Sequence, residues 1–253
     1  MPHPVLWQFR QSHYNDKARW ALDFKGLPHV RRSLLPGLHI PRVLWMTGQK
    51  AVPVLVLNGR TIADSTRIIA ALEEAYPDPP LYPRDAAARE RALALEEFFD
   101  EQLGPHIRRA VFHDLLPHTD YAAALITTGF APATRSVYRA IFPAIRAVMR
   151  ADMRIDERGA EVGRAQIVAA LDRIEAELQP SGYLVGDRFS VADLTAAALL
   201  SPILSPPEYP YPLPGPLPEP AASHRASLAG RRAFQWAAGM YRRHRGTSAE
   251  IAG

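Results

Sequence analysis

The feature that most constrains this chain is Val52-Pro53, set inside the run Ala51-Val52-Pro53-Val54-Leu55 and followed, eleven residues after the proline, by Asp64-Ser65. A proline brings no backbone N–H to a ladder, so a proline among strand formers belongs at a sheet edge or a bend. With the Val-Pro bond cis at such an edge, the valine keeps its own N–H and C=O free to pair with an extended peptide. Asp64-Ser65 heads an apolar-periodic segment, and the N–H groups at a helix start can hold a carboxylate. The two dipeptides together describe a receptor for a short anionic peptide.

The flanking segments fit that receptor. Val5 to Phe9 reads as a strand and Arg10 to Asn15 as a polar turn. From Asp16 the apolar residues Ala18, Trp20, Ala21, Leu22 and Phe24 recur at helical spacing until Gly26 and Pro28 stop them. Val52–Leu57 and Thr61-Ile62 flank Asn58-Gly59, a strong hairpin signal. Ile68, Ile69, Leu72 and Tyr76 stripe a helix that Pro77 ends. The expected order over residues 1–80 is strand, helix, connector, two strands, helix.

Residues 76–83, Tyr-Pro-Asp-Pro-Pro-Leu-Tyr-Pro, propagate neither helix nor sheet and mark a domain boundary. Residues 85–253 then read as an all-α domain. One helix is striped by Leu93, Leu95, Phe98, Phe99 and Leu103, and a second by Val137, Ile141, Ile145 and Val148. A third carries Val162, Ile167, Val168, Leu171, Ile174 and Leu178. Nine prolines between Pro202 and Pro220 predict an ordered, extended surface loop, and a last helix is expected over about residues 225–245 with Phe234, Trp236 and Met240 inward. Ser190-Val191-Ala192-Asp193 has the spacing of a capping box, with Phe189 and Leu194 placed as a staple; its role is structural.

Composition removes several classes of function. There is no cysteine, which excludes disulfides, thiolate metal sites and a cysteine nucleophile, so any reactive sulfur must arrive with a ligand. The formal charge of +4 comes almost wholly from arginine interspersed with acids, which does not read as a nucleic-acid surface. Arg242-Arg243-His244-Arg245 is accounted for by the end of a helix. His106, His113 and His118 lack a tight ligand spacing, so no metal site is expected. No run approaches the roughly 20 apolar residues of a membrane span, and no signal pattern opens the chain. A cytoplasmic location is the expectation.

Four segments, in order, resemble the glutathione transferase superfamily. Ser12-His13-Tyr14-Asn15-Asp16-Lys17-Ala18-Arg19 is similar to the segment where serine-type members carry a catalytic hydroxyl. Gly48 to Leu55 resembles the Gly-x(3)-Val-Pro-x-Leu segment, and Asp64 to Ile69 the γ-glutamyl motif. Gly182 to Asp193 resembles the family's C-terminal capping segment. The resemblance covers the whole chain. It implies an α+β protein with an N-terminal thioredoxin-like domain over residues 1–80 and an all-α C-terminal domain over residues 85–253, usually as a homodimer.

The resemblance also implies roles. Ser12 would lower the pKa of bound glutathione by donating to its thiolate, with Tyr14 as second candidate and the amide of Asn15 as another possible donor. His13 stands where a proline is common after the serine. Val52, beside Pro53, would pair with the cysteinyl unit; Ser65 would hold the γ-glutamyl carboxylate and Asp64 its ammonium. Lys50, His39 and Gln49 are the candidates for the glycyl carboxylate. A small hydrophobic electrophile would lie between Phe9, Arg10 and Tyr14 on one side and Arg109, Phe112 and Tyr138 on the other. Three functions follow: a glutathione-dependent transferase, a catalytically weak partner-binding module on the same fold, or a carrier of apolar ligands.

Overall fold

The computed structural model describes residues 2–252. Its N-terminal part runs β1 (Val5–Gln8), α1 (His13–Phe24), β2 (Val30–Ser33), α2 (Ile40–Thr47), β3 (Val54–Leu57), β4 (Arg60–Ala63) and α3 (Ser65–Ala75). The strands form one mixed sheet in the order β2-β1-β3-β4. β1 and β2 are parallel with Val5 opposite Val30, and β3 is antiparallel to β1 with Leu6 opposite Leu55. β4 pairs antiparallel with β3, placing Leu55 opposite Ile62. Asn58 and Gly59 both take positive φ, 51° and 79°, as the two-residue turn of this hairpin requires. Leu6, Leu22, Leu55, Ile68 and Leu72 are fully buried and close the core between the sheet and α1 and α3.

The connector expected between α1 and β3 is in fact β2 and α2. Val30-Arg31-Arg32-Ser33 carries no apolar alternation, and what lets it pair is ionic: Arg31 is buried and donates two bonds of 2.7 Å to the Asp23 carboxylate. The short α2 starts with Pro41 in its first turn, where a missing N–H costs nothing, and ends at Gly48 with φ 74°.

Residues 76–85 link the two halves, pinned by Lys25, whose Nζ donates to the carbonyls of Tyr76 (2.7 Å) and Pro79 (3.0 Å) and pairs with Glu73 at 2.6 Å. The helical domain comprises α4 (Ala86–Gln102), α5 (Gly104–Leu115), α6 (Thr119–Ile126), α7 (Pro132–Met153), α8 (Glu157–Glu177), α9 (Val191–Leu204), α10 (Glu219–Leu228) and α11 (Arg232–His244). Almost every residue of α9 is buried, and it packs against α1, α4 and α11, which makes it the axis that joins the two halves. The box that starts it is formed: the Ser190 N–H (2.9 Å) and hydroxyl (2.8 Å) donate to one oxygen of Asp193 and the Leu184 N–H (2.8 Å) to the other.

Three helical expectations need correction. On α7 the buried residues are Tyr138 and Phe142, whereas Val137, Ile141 and Val148 are exposed; the helix packs chiefly on α6 and turns its aliphatic stripe outward. On α8 the stripe holds at Ile167, Leu171 and Ile174 but Val162 and Val168 face solvent. The last helix is two, α10 and α11. The proline-rich segment is also shorter than its composition suggests, because Pro202 sits in the final turn of α9 and Pro220 in the first turn of α10. The loop between them is tied down: the Tyr209 hydroxyl accepts from Arg19 at 2.8 Å and donates to the Arg10 carbonyl at 2.9 Å, and the Tyr211 hydroxyl accepts from Gln8 at 2.7 Å.

Candidate functional site

The Val52–Pro53 peptide bond is cis. The ladder between β1, β3 and β4 begins only at Val54, so Val52 stands outside it. Its N–H has no partner among the described residues, while its C=O accepts a long bond, 3.4 Å, from Asn15 Nδ2. Asn15 is fully buried and also accepts from the Phe9 N–H at 3.3 Å; it bridges the first loop to the Val-Pro edge and is neither solvated nor aimed at a ligand sulfur. The Pro53 C=O accepts from the Asp64 N–H at 3.3 Å, which fixes the edge against the start of α3.

Asp64 takes φ 83°, a strained value for a residue other than glycine, and caps α3 by accepting from the N–H groups of Thr66 (3.0 Å) and Arg67 (3.1 Å). The helix start is thereby partly satisfied from within. Ser65 keeps the open donors: its N–H and hydroxyl have no partner among the described residues, and it is buried except toward the cleft it lines. An incoming carboxylate would meet Ser65, not a run of N–H groups.

Gln49, Val52, Pro53, Asp64, Ser65 and Tyr14 all border one open cleft of about 750 Å³ between the sheet edge and α4 and α5. Its far wall is acidic, with Glu96, Glu97, Asp100 and Glu101 from α4, and Arg67 and Arg108 are its cations. Lys17 lies fully buried behind this wall and neutralises part of it, with Nζ 2.7 Å from Glu96 and 2.5 Å from Asp100 and donating to Thr66 Oγ1 at 2.9 Å. Burial still holds the Glu96 carboxyl above the usual range, against the pull of Lys17.

Not every expected site residue reaches this cleft. Ser12 is the N-cap of α1 with a hydroxyl that makes no capping bond, and it does not line the cleft; of its neighbours, Tyr14 lines the cleft and His13 an adjoining cavity. The Tyr14 hydroxyl is committed to the Asp100 carbonyl at 2.7 Å, and burial, then the Asp100 charge, hold its pKa above the usual phenol range. A methyl group on Gly104 would lie 2.0 Å from that hydroxyl oxygen, so the close approach requires glycine. Tyr14 thus has neither a free proton nor a lowered pKa to offer a thiol. Lys50 is drawn away to Asp152 of α7 at 2.5 Å, and His39 bonds the Lys50 carbonyl at 3.0 Å and meets the Phe9 ring edge-on. Of the three glycyl candidates only Gln49 lies at the cleft, with its amide folded onto Ala51.

A second, more apolar cavity of about 170 Å³ adjoins the cleft and is lined by Phe112, Leu115, Leu125, Pro206, Tyr209 and Leu213, together with His13 and Arg108. Of the other residues expected around an electrophile, Arg109 donates to the Met153 carbonyl (3.1 Å), Tyr138 to Pro36 (2.6 Å), and Arg10 to Ser33 and Thr128. These three are structural. His13 is buried, its Nε2 is 3.0 Å from the Gly104 carbonyl, and burial followed by the Arg108 charge lowers its pKa to about 3, so it is neutral. Arg108 was not legible in the sequence: no motif contains it, and one arginine among many carries no signal until the fold places it.

A mixed sheet whose cis-proline edge faces the start of a helix, joined to an all-helical domain, defines a two-domain protein of thioredoxin-like plus helical architecture. Residues 6–80 match the glutathione S-transferase N-terminal domain and residues 67–212 the glutathione S-transferase C-terminal domain. The chain belongs to the glutathione S-transferase family. It is 25% identical over 204 residues to a probable glutathione S-transferase of Nicotiana tabacum, covering 78% of this chain and 69% of that one. It is 26% identical over 203 residues to FtsZ-localized protein A of Caulobacter vibrioides, covering 79% and 76%. The crystal structure of a glutathione S-transferase from Rhodospirillum rubrum F11 matches with a TM-score of 0.60 and 25% identity over 92% of this chain and 91% of that one. Among the described residues no helix is long and apolar enough to cross a membrane.

Proposed function

We propose that the chain binds glutathione in the cleft and delivers it, as the thiolate, to a small hydrophobic electrophile held in the adjoining apolar cavity. The observation that carries this reading is a set of three donors on one cleft with no partner among the described residues: the N–H of Val52 beside cis Pro53, and the N–H and hydroxyl of Ser65. They match the cysteinyl backbone and the γ-glutamyl carboxylate of an extended peptide. The ammonium then faces Asp64 and the acidic wall of α4, and the glycyl end lies toward Gln49. For thiolate stabilisation we propose Ser12 on the family resemblance: it does not line the cleft, so the cysteinyl sulfur must extend beyond the cleft wall to meet its hydroxyl, which makes no capping bond and sits at the start of α1 where the helix dipole favours negative charge. Attack forms the S–C bond, and the leaving group departs with its electron pair, or in an addition the carbanion takes up a proton.

We further propose a cytoplasmic homodimer with no metal and no nucleic-acid or membrane partner. Sedimentation at micromolar concentration should give twice the chain mass; a monomer would overturn the dimer. Calorimetry with glutathione, followed by turnover against a panel of electrophiles, tests the central reading. Absence of glutathione binding would sink it. Binding without turnover would favour a partner-binding or carrier role, for which the similarity to FtsZ-localized protein A and the exposure of Trp45 and Leu44 on α2 are the supporting observations.

A further inference from the structure

We propose that Arg108 anchors an anionic group of the second substrate, so that the electrophile is a compact apolar molecule bearing a carboxylate. This deepens the glutathione-dependent reading of the site and rests on it. Among the described residues Arg108, on α5, is the only one that the apolar cavity and the glutathione cleft share. Among them it is also the only formally charged side chain on the apolar cavity, since His13 there is neutral. Among the described residues its guanidinium makes no ion pair and no hydrogen bond, and its Nε is buried without a partner. The carboxylate that acts on it at longer range, Asp152, is already held by Lys50 at 2.5 Å.

An arginine stays protonated at any working pH, and a half-buried charge with no counter-ion is costly unless a ligand supplies one. Burial does pull Arg108 below the usual guanidinium range, which is the signature of that uncompensated state. Its planar fork fits a carboxylate by two parallel bonds, and the rest of the cavity is mainly phenylalanine, leucine, valine, tyrosine and proline, with Gln11, His13, Ser201 and Ser205 as its other polar side chains. In the proposed pose glutathione's carboxylates are assigned elsewhere, one to Ser65 and the other toward Gln49, and Arg108, which lines both spaces, is the cation that the apolar cavity can also use. The location therefore selects for an anion on the partner that glutathione meets.

The test compares 3-phenylpropanoate with 3-phenylpropanamide, an unreactive pair of equal shape, by calorimetry on the protein saturated with glutathione. The carboxylate should bind roughly ten- to a hundredfold tighter, the range for a charge-assisted bond. Arg108→Gln should abolish that preference and change glutathione affinity by much less than the preference itself, and Arg108→Lys should keep part of it. Equal affinity for the two compounds in the wild type overturns the proposal. So does a preference that survives in Arg108→Gln, or a loss of glutathione affinity in that variant with the preference intact. If glutathione itself does not bind, the glutathione reading fails, and the same pair measured on the protein alone still decides the role of Arg108. Turnover of 4-chloro-3-nitrobenzoate against its amide adds a kinetic readout: the acid should show the lower KM, and that advantage should disappear in Arg108→Gln.

Discussion

Ser65 offers two donors to the cleft and none to the protein, so its truncation tests the anion site with little collateral damage to the fold. Ser65→Ala should weaken glutathione by about 1–3 kcal/mol in calorimetry, the range for losing one partner of a charged group. Unchanged affinity would mean that the carboxylate lies elsewhere. Ser12→Ala should instead leave affinity nearly intact, raise the pKa of the bound thiol and slow conjugation at neutral pH by roughly ten- to a hundredfold. That deficit should shrink as pH rises and the thiol ionises unaided, because the lost hydrogen bond stabilises only the charged form. Tyr14→Phe should show no such pH signature, since its hydroxyl serves the Asp100 carbonyl; if it does, the tyrosine is the activator. At this scale the shared placement of Val52, Pro53, Asp64 and Ser65 at one cleft was legible because each stands in a short motif with a backbone reason. The partners that engage Lys50, His39 and Tyr14, namely Asp152, the Lys50 carbonyl and the Asp100 carbonyl, were not legible, because proximity in sequence says nothing about a competing partner.

Among the elements, α9 shows how local chemistry can be read and long-range phase cannot. The box at Ser190 and Asp193 follows from spacing alone and is formed. The exposed stripe of α7 follows from no local rule: Val137, Ile141 and Val148 have helical spacing, but the side that packs is set by Phe142 against α6 and by Tyr138, whose hydroxyl donates to the Pro36 carbonyl. β2 was hidden for a related reason, since nothing within Val30–Ser33 marks a strand and the partner that buries Arg31, Asp23, lies on another element. Burial of Asp193 has a measurable consequence. Desolvation raises its pKa from 3.8 to about 6, despite the bonds from Leu184 and Ser190. A raised folded-state value means that this group's contribution to stability is fully present below about pH 4 and is lost as pH rises through about 6. The wild type should therefore lose on the order of 2–3 kcal/mol of unfolding free energy from this group between those limits. Asp193→Asn cannot ionise and should lack that decline in urea titrations run across the same range; equal slopes for the two proteins would rule the assignment out.

For the whole molecule, the order of motifs made the two-part architecture readable, while the ionic cluster that ties its ends together left no trace in the sequence. Asp23, at the end of α1, accepts from Arg31 of β2 and from Arg245 just past α11, each at 2.7 Å, and from the Ala249 N–H at 2.8 Å. Asp23 and Arg245 are separated by 222 residues, so no window of sequence holds both. The residues after Arg245 continue along the β2 edge, where the His29 N–H donates to Ala249 at 3.2 Å and the Ile251 N–H to His29 at 2.9 Å. Burial alone would raise the Asp23 pKa, but the guanidiniums of Arg245 and Arg31 outweigh it and hold the carboxyl below 3.8. A lowered folded-state value contributes stability that is present above about pH 4 and lost as pH falls toward the folded pKa, so this cluster should weaken on the acid side. Asp23→Asn removes one charge and leaves two guanidiniums buried against a neutral amide, which should cost about 3–5 kcal/mol in denaturant unfolding at neutral pH. Hydrogen exchange should localise the loss: the Ala249 and Ile251 amides and those of β2 should lose protection, while α3 and the Ser65 cleft keep theirs. A variant that unfolds like the wild type, or that loosens the cleft as much as the C-terminal segment, would show that Asp23 does not hold the two ends of the chain together.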